Sequence, residues 1–353
     1  MQTLNVKKSS HGFVHPKSEI RNPKSPRSGF TLVEMMVVIV IIAILAGLLI
    51  PAIQRARITA NEARVIVEIK GLESAISAFK AKYGVEPPSQ FVLFTTQAGW
   101  SSNPASMAII RQIWPQFDFT MGTGSGTTFP AYWTTIAKPL TFNGVSSPAL
   151  PMNSGECLLF FLGGIIPVQG PNQVPTGFAK NPAYPFSPPS VSSNREGPFF
   201  EFTAIDRIKD IDGNGINEFY DLLPNQALPY LYFSSYEGRG YNTFELPSNG
   251  ASFNYMHDMY RVWSGAITPA AFPLPPATPA TSTAGTSAAL PAQKPQSFQI
   301  ISPGYDGKYG IGGVFNTSLT NSGLIIKFNG TTPVYDTDAY DNLTNFNGGR
   351  LKP

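Results

Sequence analysis

Apolar and polar residues are unevenly distributed along this chain. From Phe30 to Ile50 there are 21 residues and a single charge, Glu34. A helix over that stretch measures about 32 Å, enough to cross the hydrocarbon core of a bilayer. After Pro51 the pattern becomes one-sided. Ile58, Val65, Ile69, Leu72, Ile76, Phe79 and Tyr83 recur at spacings of three, four and seven, and Arg64, Glu68, Lys70, Glu73 and Lys80 lie mostly off that stripe. Glu62 falls on the stripe, where periodicity offers no reason for it. Pro51 removes one backbone donor, so it bends the predicted helix without ending it. Gly84 and then Pro87-Pro88 stop it. The pattern therefore predicts one helix over residues 30–83, about 80 Å long, apolar all round in its first half and one-faced in its second. A carboxylate within an apolar span costs a few kcal/mol, so Glu34 calls for a partner or a function; the plain alternative is a membrane anchor with an acid near its end.

Beyond residue 84 the signals are shorter. Residues 89–155 are rich in Ser, Thr, Gly and Pro, with Trp100, Trp114 and Trp133 spaced through them, and predict short helices and loops. Residues 156–163 read as a short buried helix containing Cys157. Runs at 197–202, 229–233, 298–302 and 324–328 are aromatic or β-branched and predict strands. Residues 267–296 are nearly all Ala, Pro, Thr and Ser, a composition that cannot bury a core and reads as an insertion. The expected organisation is residues 1–29, a helix over 30–83 (30–50 spanning, 51–83 amphipathic), and a head over 84–353.

The net charge of +3 changes meaning once it is divided. Residues 1–29 hold six Lys/Arg and one acid, and the remainder is net acidic by two. The basic balance belongs to a targeting segment and gives no argument for nucleic-acid binding. Basic residues before an apolar span stay cytoplasmic, which puts the C-terminal part across the membrane. The single Cys157 excludes an intrachain disulfide framework and a thiolate zinc cluster. A cleaved secretory signal has a shorter apolar run with small residues after it; here the small residue, Gly29, precedes the run.

Gly29-Phe30-Thr31-Leu32-Val33-Glu34, with Pro51 at the twenty-second position counted from Phe30, resembles the prepilin cleavage and methylation motif of type IV pilins and type II secretion pseudopilins. The resemblance covers residues 27–83. It implies cleavage between Gly29 and Phe30 by a prepilin peptidase, N-methylation of Phe30, and roles in filament assembly for Glu34 and Pro51. It also implies a single-pass inner-membrane precursor with a periplasmic head, extracted into a filament with other pilin-like subunits by an inner-membrane assembly platform. The expected fold is α+β and pilin-like, the long helix packing on a small antiparallel sheet.

Two stretches suggest metal chemistry. Asp210, Asp212, Asn214, Ile216 (through its carbonyl), Glu218 and Asp221 stand at the spacing of a calcium loop, with Gly215 at its turn. The segment resembles EF-hand and dockerin loops, although its last ligand is Asp and not Glu. An Asn-Gly hairpin turn explains the same residues, and the two readings are compatible. Ser302-Pro303-Gly304-Tyr305-Asp306-Gly307 resembles the calcium-holding loop near the C-terminus of major pseudopilins, for which Asp306, Asp336, Asp338 and Asp341 would supply acids; a glycine turn and solvated acids is the alternative.

Enzymatic signals are absent from the motif inventory: no G-x-S-x-G elbow, phosphate loop or H-E-x-x-H, and one histidine, His257, outside the first 29 residues. The expected function is structural: a pseudopilin of a type II secretion system. The alternatives are a type IV pilus subunit and, from another class, a membrane-anchored calcium-binding periplasmic domain that never polymerises.

Overall fold

The computed structural model describes residues 29–94, 97–120, 141–142, 145–146, 149–166, 174–187, 194–210, 216–224, 226–239, 241, 260–262, 292–310, 313–315, 325–329, 332–335 and 337–351. Residues 267–291 of the predicted insertion, Trp133 and His257 lie outside them. The chain divides into two compact units, Met1–Arg55 and Ala56–Pro353.

Helix α1, Leu32–Tyr83, runs without interruption through Pro51. In the first unit its apolar side chains are exposed on every side, and among the described residues it is the one helix long and apolar enough to cross a membrane. In the second unit Val65, Ile69, Leu72, Ala75, Ile76 and Phe79 are buried. Five of these are predicted stripe residues; Ile58 and Tyr83, at the stripe's ends, are half-buried. The helix ends where Gly84 turns to φ 78° and its N–H caps the Lys80 carbonyl at 2.8 Å.

The rest of the second unit is α+β, built from short pieces. Strand β1 (Phe91–Phe94) pairs antiparallel with β4 (Ala149–Met152). Helices α2 (Gln97–Ser102) and α3 (Pro104–Ile113) lie between them in sequence, α3 opened by the Asn103 side chain and by Pro104 at its first position. Two two-residue strands, β2 (Thr141–Phe142) and β3 (Val145–Ser146), form a hairpin. Helix α4, Ser154–Gly163, has a complete capping box: the Glu156 N–H donates to Asn153 Oδ1 at 3.0 Å, and the Asn153 N–H donates to Glu156 Oε2 at 2.5 Å. All ten of its residues are buried, Cys157 among them.

Pairs β5 (Phe178–Ala179) with β6 (Arg195–Glu196), and β7 (Ile208–Lys209) with β8 (Glu218–Phe219), are antiparallel ribbons. The central sheet has the order β15-β11-β9, with β9 Leu231–Ser234, β11 Phe298–Ser302 and β15 Leu343–Thr344, all antiparallel. Helix α4 packs on β8 and β9. A further sheet, β10 (Tyr260–Val262), β12 (Gly313–Phe315), β13 (Ile325–Asn329) and β14 (Thr332–Tyr335), is antiparallel except for its parallel β10–β12 pair. The α1 stripe, α4 and the inner faces of β1, β9 and β11 share one core.

The expected strand at residues 197–202 does not form. Pro198 has no N–H, and the N–H groups of Phe199 and Phe200 both turn to the Leu162 carbonyl at the end of α4, at 2.8 and 3.3 Å. The aromatic rings are used as packing instead. Phe199 lies 5.3 Å from Phe79, centroid to centroid, and Phe200 lies over Gly71, where an added Cβ would stand 3.0 Å from its ring.

Candidate functional site

The N-terminus of α1 is where sequence singles out a function. Gly29 and Phe30 precede the helix in non-helical backbone and are exposed. A methyl group built on Gly29 meets no atom within 4 Å, so nothing in the chain's own packing asks for glycine there. Thr31 is the cap. Its backbone N–H and its hydroxyl both donate to Glu34 Oε2 at 2.8 Å, and the Glu34 N–H donates to Thr31 Oγ1 at 3.2 Å. This is a reciprocal capping box, which removes two of the unpaired donors every helix start carries. The acid also sits in the first turn, where it complements the helix dipole.

The sequence pattern marks Glu34 as an intramembrane acid in need of a partner, with a role in assembly implied by resemblance, and does not by itself draw attention to a local cap. The signal that it caps its own helix was present as Thr-x-x-Glu before an apolar run. The cap occupies one carboxylate oxygen. Glu34 Oε1 receives no donor among the described residues. Behind the cap the surface is apolar without relief: Val33, Ile39, Ile41, Leu45 and Leu48 are each more than half exposed.

The second unit shows the opposite treatment of acids. Glu68 accepts from Arg207 Nη2 and Nη1 at 2.6 and 2.9 Å and from the Tyr230 hydroxyl at 2.6 Å. Glu73 binds Lys70 at 2.6 Å and Asn345 at 3.3 Å. Glu62, which periodicity left unexplained, accepts from Arg350 Nε at 2.6 Å and so fastens the C-terminal segment to the helix.

Of the residues proposed for a calcium loop, Asp212 and Asn214 lie outside the described residues. The flanking residues form the β7–β8 hairpin, with Ile208 opposite Phe219 and Lys209 opposite Glu218. Glu218 is buried and its Oε1 accepts from Asn153 Nδ2 at 3.3 Å, tying the hairpin to the cap of α4. Asp221 is buried too. Its Oδ1 accepts from the Leu223 N–H at 2.9 Å, and its Oδ2 accepts from the Ser302 hydroxyl and from Gln226 Nε2, the latter at 3.3 Å. Burial pushes its carboxyl up to about 6, against the pull of those donors. Asp210 and Ile216 are half-exposed at the ends of the loop.

In the second stretch, Asp336 lies outside the described residues, and three acids surround the turn after β11. Asp341 Oδ2 accepts from the N–H groups of Tyr305 and Asp306 at 2.6 and 3.0 Å. Asp306 Oδ1 accepts from the Lys308 N–H at 2.8 Å, and Lys308 Nζ pairs with Asp338 at 3.4 Å. Partial desolvation and the like charges of Asp341 and Asp338 push Asp306 up to about 6. Among the described residues no three His, Cys, Asp or Glu side chains converge in metal-binding geometry.

Comparison with known proteins agrees with the N-terminal geometry. Residues 24–50 match the prokaryotic N-terminal methylation motif. The chain is 42% identical over 57 residues to the type II secretion system core protein G of Aeromonas hydrophila, covering 16% of this chain and 40% of that protein. It is 36% identical over 61 residues to the Vibrio cholerae core protein G, covering 17% and 42%. It is 33% identical over 81 residues to the type IV major pilin protein PilE1 of Neisseria gonorrhoeae, covering 23% and 46%. The chain thus spans less than half the length of the curated relatives it matches. No solved structure matches it.

Proposed function

We propose that this chain is a structural, non-enzymatic subunit of a pilin-like filament, and specifically a pseudopilin of a type II secretion system. The observation that carries the reading is the N-terminal half of α1: an apolar surface exposed on all sides, headed by a capped acid with one carboxylate oxygen still open. A membrane anchor alone needs the apolar surface but not the acid.

In this reading a prepilin peptidase cuts between Gly29 and Phe30, and the new α-amine of Phe30 is methylated and stays charged. The precursor sits in the inner membrane with its head in the periplasm, and an assembly platform draws it into a filament with other pilin-like subunits. Within the filament, Glu34 Oε1 pairs with the Phe30 amine of a neighbouring copy. Two charges in an apolar setting are each costly, and pairing offsets both. The Thr31 cap holds the carboxylate at the helix start, where that amine must arrive. The similarity to PilE1 supports the second reading, a type IV pilus subunit.

Deleting the chain, imaging filaments and assaying secretion separates the two: loss of secretion supports the pseudopilus, and loss of surface fibres with secretion intact supports the pilus. Glu34→Leu should be cleaved and inserted as the parent is, and should not assemble. Mass spectrometry placing the mature N-terminus beyond Ile50, or normal filaments from Glu34→Leu, would overturn the reading. Calcium at the 210–221 loop or the 302–309 turn is part of the proposal: millimolar calcium should raise the melting temperature, by the mass action of ion binding to the folded state alone.

A further inference from the structure

Within the second unit the charges of α1 fall into two groups. Glu62, Glu68 and Glu73, and likewise Lys80 and Lys82, each have a partner in the head. Arg57 and Arg64, nearer the N-terminus, are both exposed, with no ion pair or side-chain hydrogen bond among the described residues. Seven residues apart, they share one face of the helix. The head carries the complementary pair. Glu201 and Asp206 are exposed and equally without a charged partner among the described residues.

The acids and bases of one copy sit at different levels. The segment holding the acids runs beside residues 68–71 of α1, because Phe200 covers Gly71 and Arg207 grips Glu68. The bases centre roughly nine residues nearer the N-terminus, an axial offset of about 13 Å. Exposed apolar side chains flank the two groups: Val67, at 71%, follows Arg64 by three residues, and Ile205, at 41%, adjoins Asp206. Opposite charges displaced along one axis on the same molecule are satisfied by a second copy shifted along that axis. Such a contact is head-to-tail and does not close, so it propagates as a fibre.

We propose that Arg57 and Arg64 of one copy dock on Glu201 and Asp206 of the next, with Val67 and Ile205 in the contact between them, and that this sets the axial step between contacting copies at about 13 Å. The proposal rests on the filament reading and names its head-to-tail interface. An anionic lipid surface would match the two arginines but would leave the exposed acids without a role.

Charge reversal in the full chain tests it. Arg57→Glu with Arg64→Glu, and separately Glu201→Arg with Asp206→Arg, should each lower filament yield at least about tenfold, since like charges brought face to face cost more than 1.4 kcal/mol. Combining all four should restore filaments to near the parent level. All four substituted side chains are exposed, so the melting temperature of each variant should match the parent. A second readout uses the burial of the native cysteine. Arg64→Cys and Asp206→Cys in one chain should give a ladder of disulfide-linked oligomers on oxidation, and either alone should not.

Parent filaments with unimpaired charge-reversed filaments would overturn the interface and leave the filament reading standing. So would reversals that fail singly and are not rescued in combination, the result expected if the arginines meet lipid. A parent that forms no filament under any condition would overturn the filament reading itself, and the interface with it.

Discussion

Helix α1 is one continuous element treated in two ways. Before Arg55 its apolar side chains lie open; Leu48 is 73% exposed. After Ala56 the apolar positions narrow to a stripe and that stripe is covered; Leu72 is 0% exposed. Acids follow the same division. Among the described residues Glu34 is served only by its own cap, whereas Glu62, Glu68 and Glu73 are each held by residues far along the chain. A one-faced pattern is answered by a core within the same chain. An all-round pattern can be answered only by lipid or by other chains. The helix is thus a boundary between what this chain completes alone and what it leaves to its surroundings.

The contrast is easiest to break with matched truncations. Leu72→Ala, in the covered half, should cost about 2–5 kcal/mol of head stability. Leu48→Ala should leave thermal unfolding of the head in detergent within about 0.5 kcal/mol of the parent. Equal losses from the two would mean that the first half also has an internal partner. Next in size is the ion pair that joins the covered half to the head. Arg207→Met strands Glu68 beside the buried Tyr230 hydroxyl and should cost about 2–4 kcal/mol by chemical denaturation, at the lower end if water reaches the carboxylate.

Asp221 sharpens the comparison through pH. Its carboxyl is raised from 3.8 to about 6 by burial, so in that window the folded head binds more protons than the unfolded chain. The stability from this group is complete below about pH 4 and is lost as pH rises to about 6, on the order of 2 kcal/mol. Asp306, raised in the same direction, adds to the trend. Asp221→Asn should flatten the profile of melting temperature against pH, and a profile rising over pH 4 to 6 in the parent would refute the assignment. The smallest effect belongs to the uncovered half: Thr31→Val removes the cap and should cost about 1 kcal/mol of local helix stability. It should be visible as faster amide exchange over residues 32–36 with no change in head unfolding.

Much of α1 could be read from the sequence, its first half from an unbroken apolar run and its second from a 3.6-residue period between Ile58 and Tyr83, and the prediction that Pro51 does not end it agrees with the structure. Strands at 298–302 and 231–234 followed from β-branched and aromatic runs bounded by turn residues. The aromatic run at 197–202 had the same composition and no strand, because its amides found a helix end 37 and 38 residues back. That contact is set by tertiary structure and has no local signature. The partner of Glu62 was equally hidden, for Arg350 lies 288 residues away. At the N-terminus the reverse holds. The Thr31–Glu34 cap is a four-residue pattern and was legible, but the rarity of an acid in an apolar span drew the reading elsewhere.

The clasp between Arg350 and Glu62 also governs time. A chain made from its N-terminus exposes α1 long before residue 350 exists. Until then the inner face of the helix lacks several of its partners: Arg350 for Glu62, Asn345 for Glu73, and Tyr305, whose hydroxyl donates to the Ile58 carbonyl at 3.4 Å. Loops of that length close late, since their entropy must be lost before the contact rewards it. Until those residues are made, the helix keeps an open seam along its inner face. Closure of the covered half of α1 therefore waits on a residue 288 positions further along the chain.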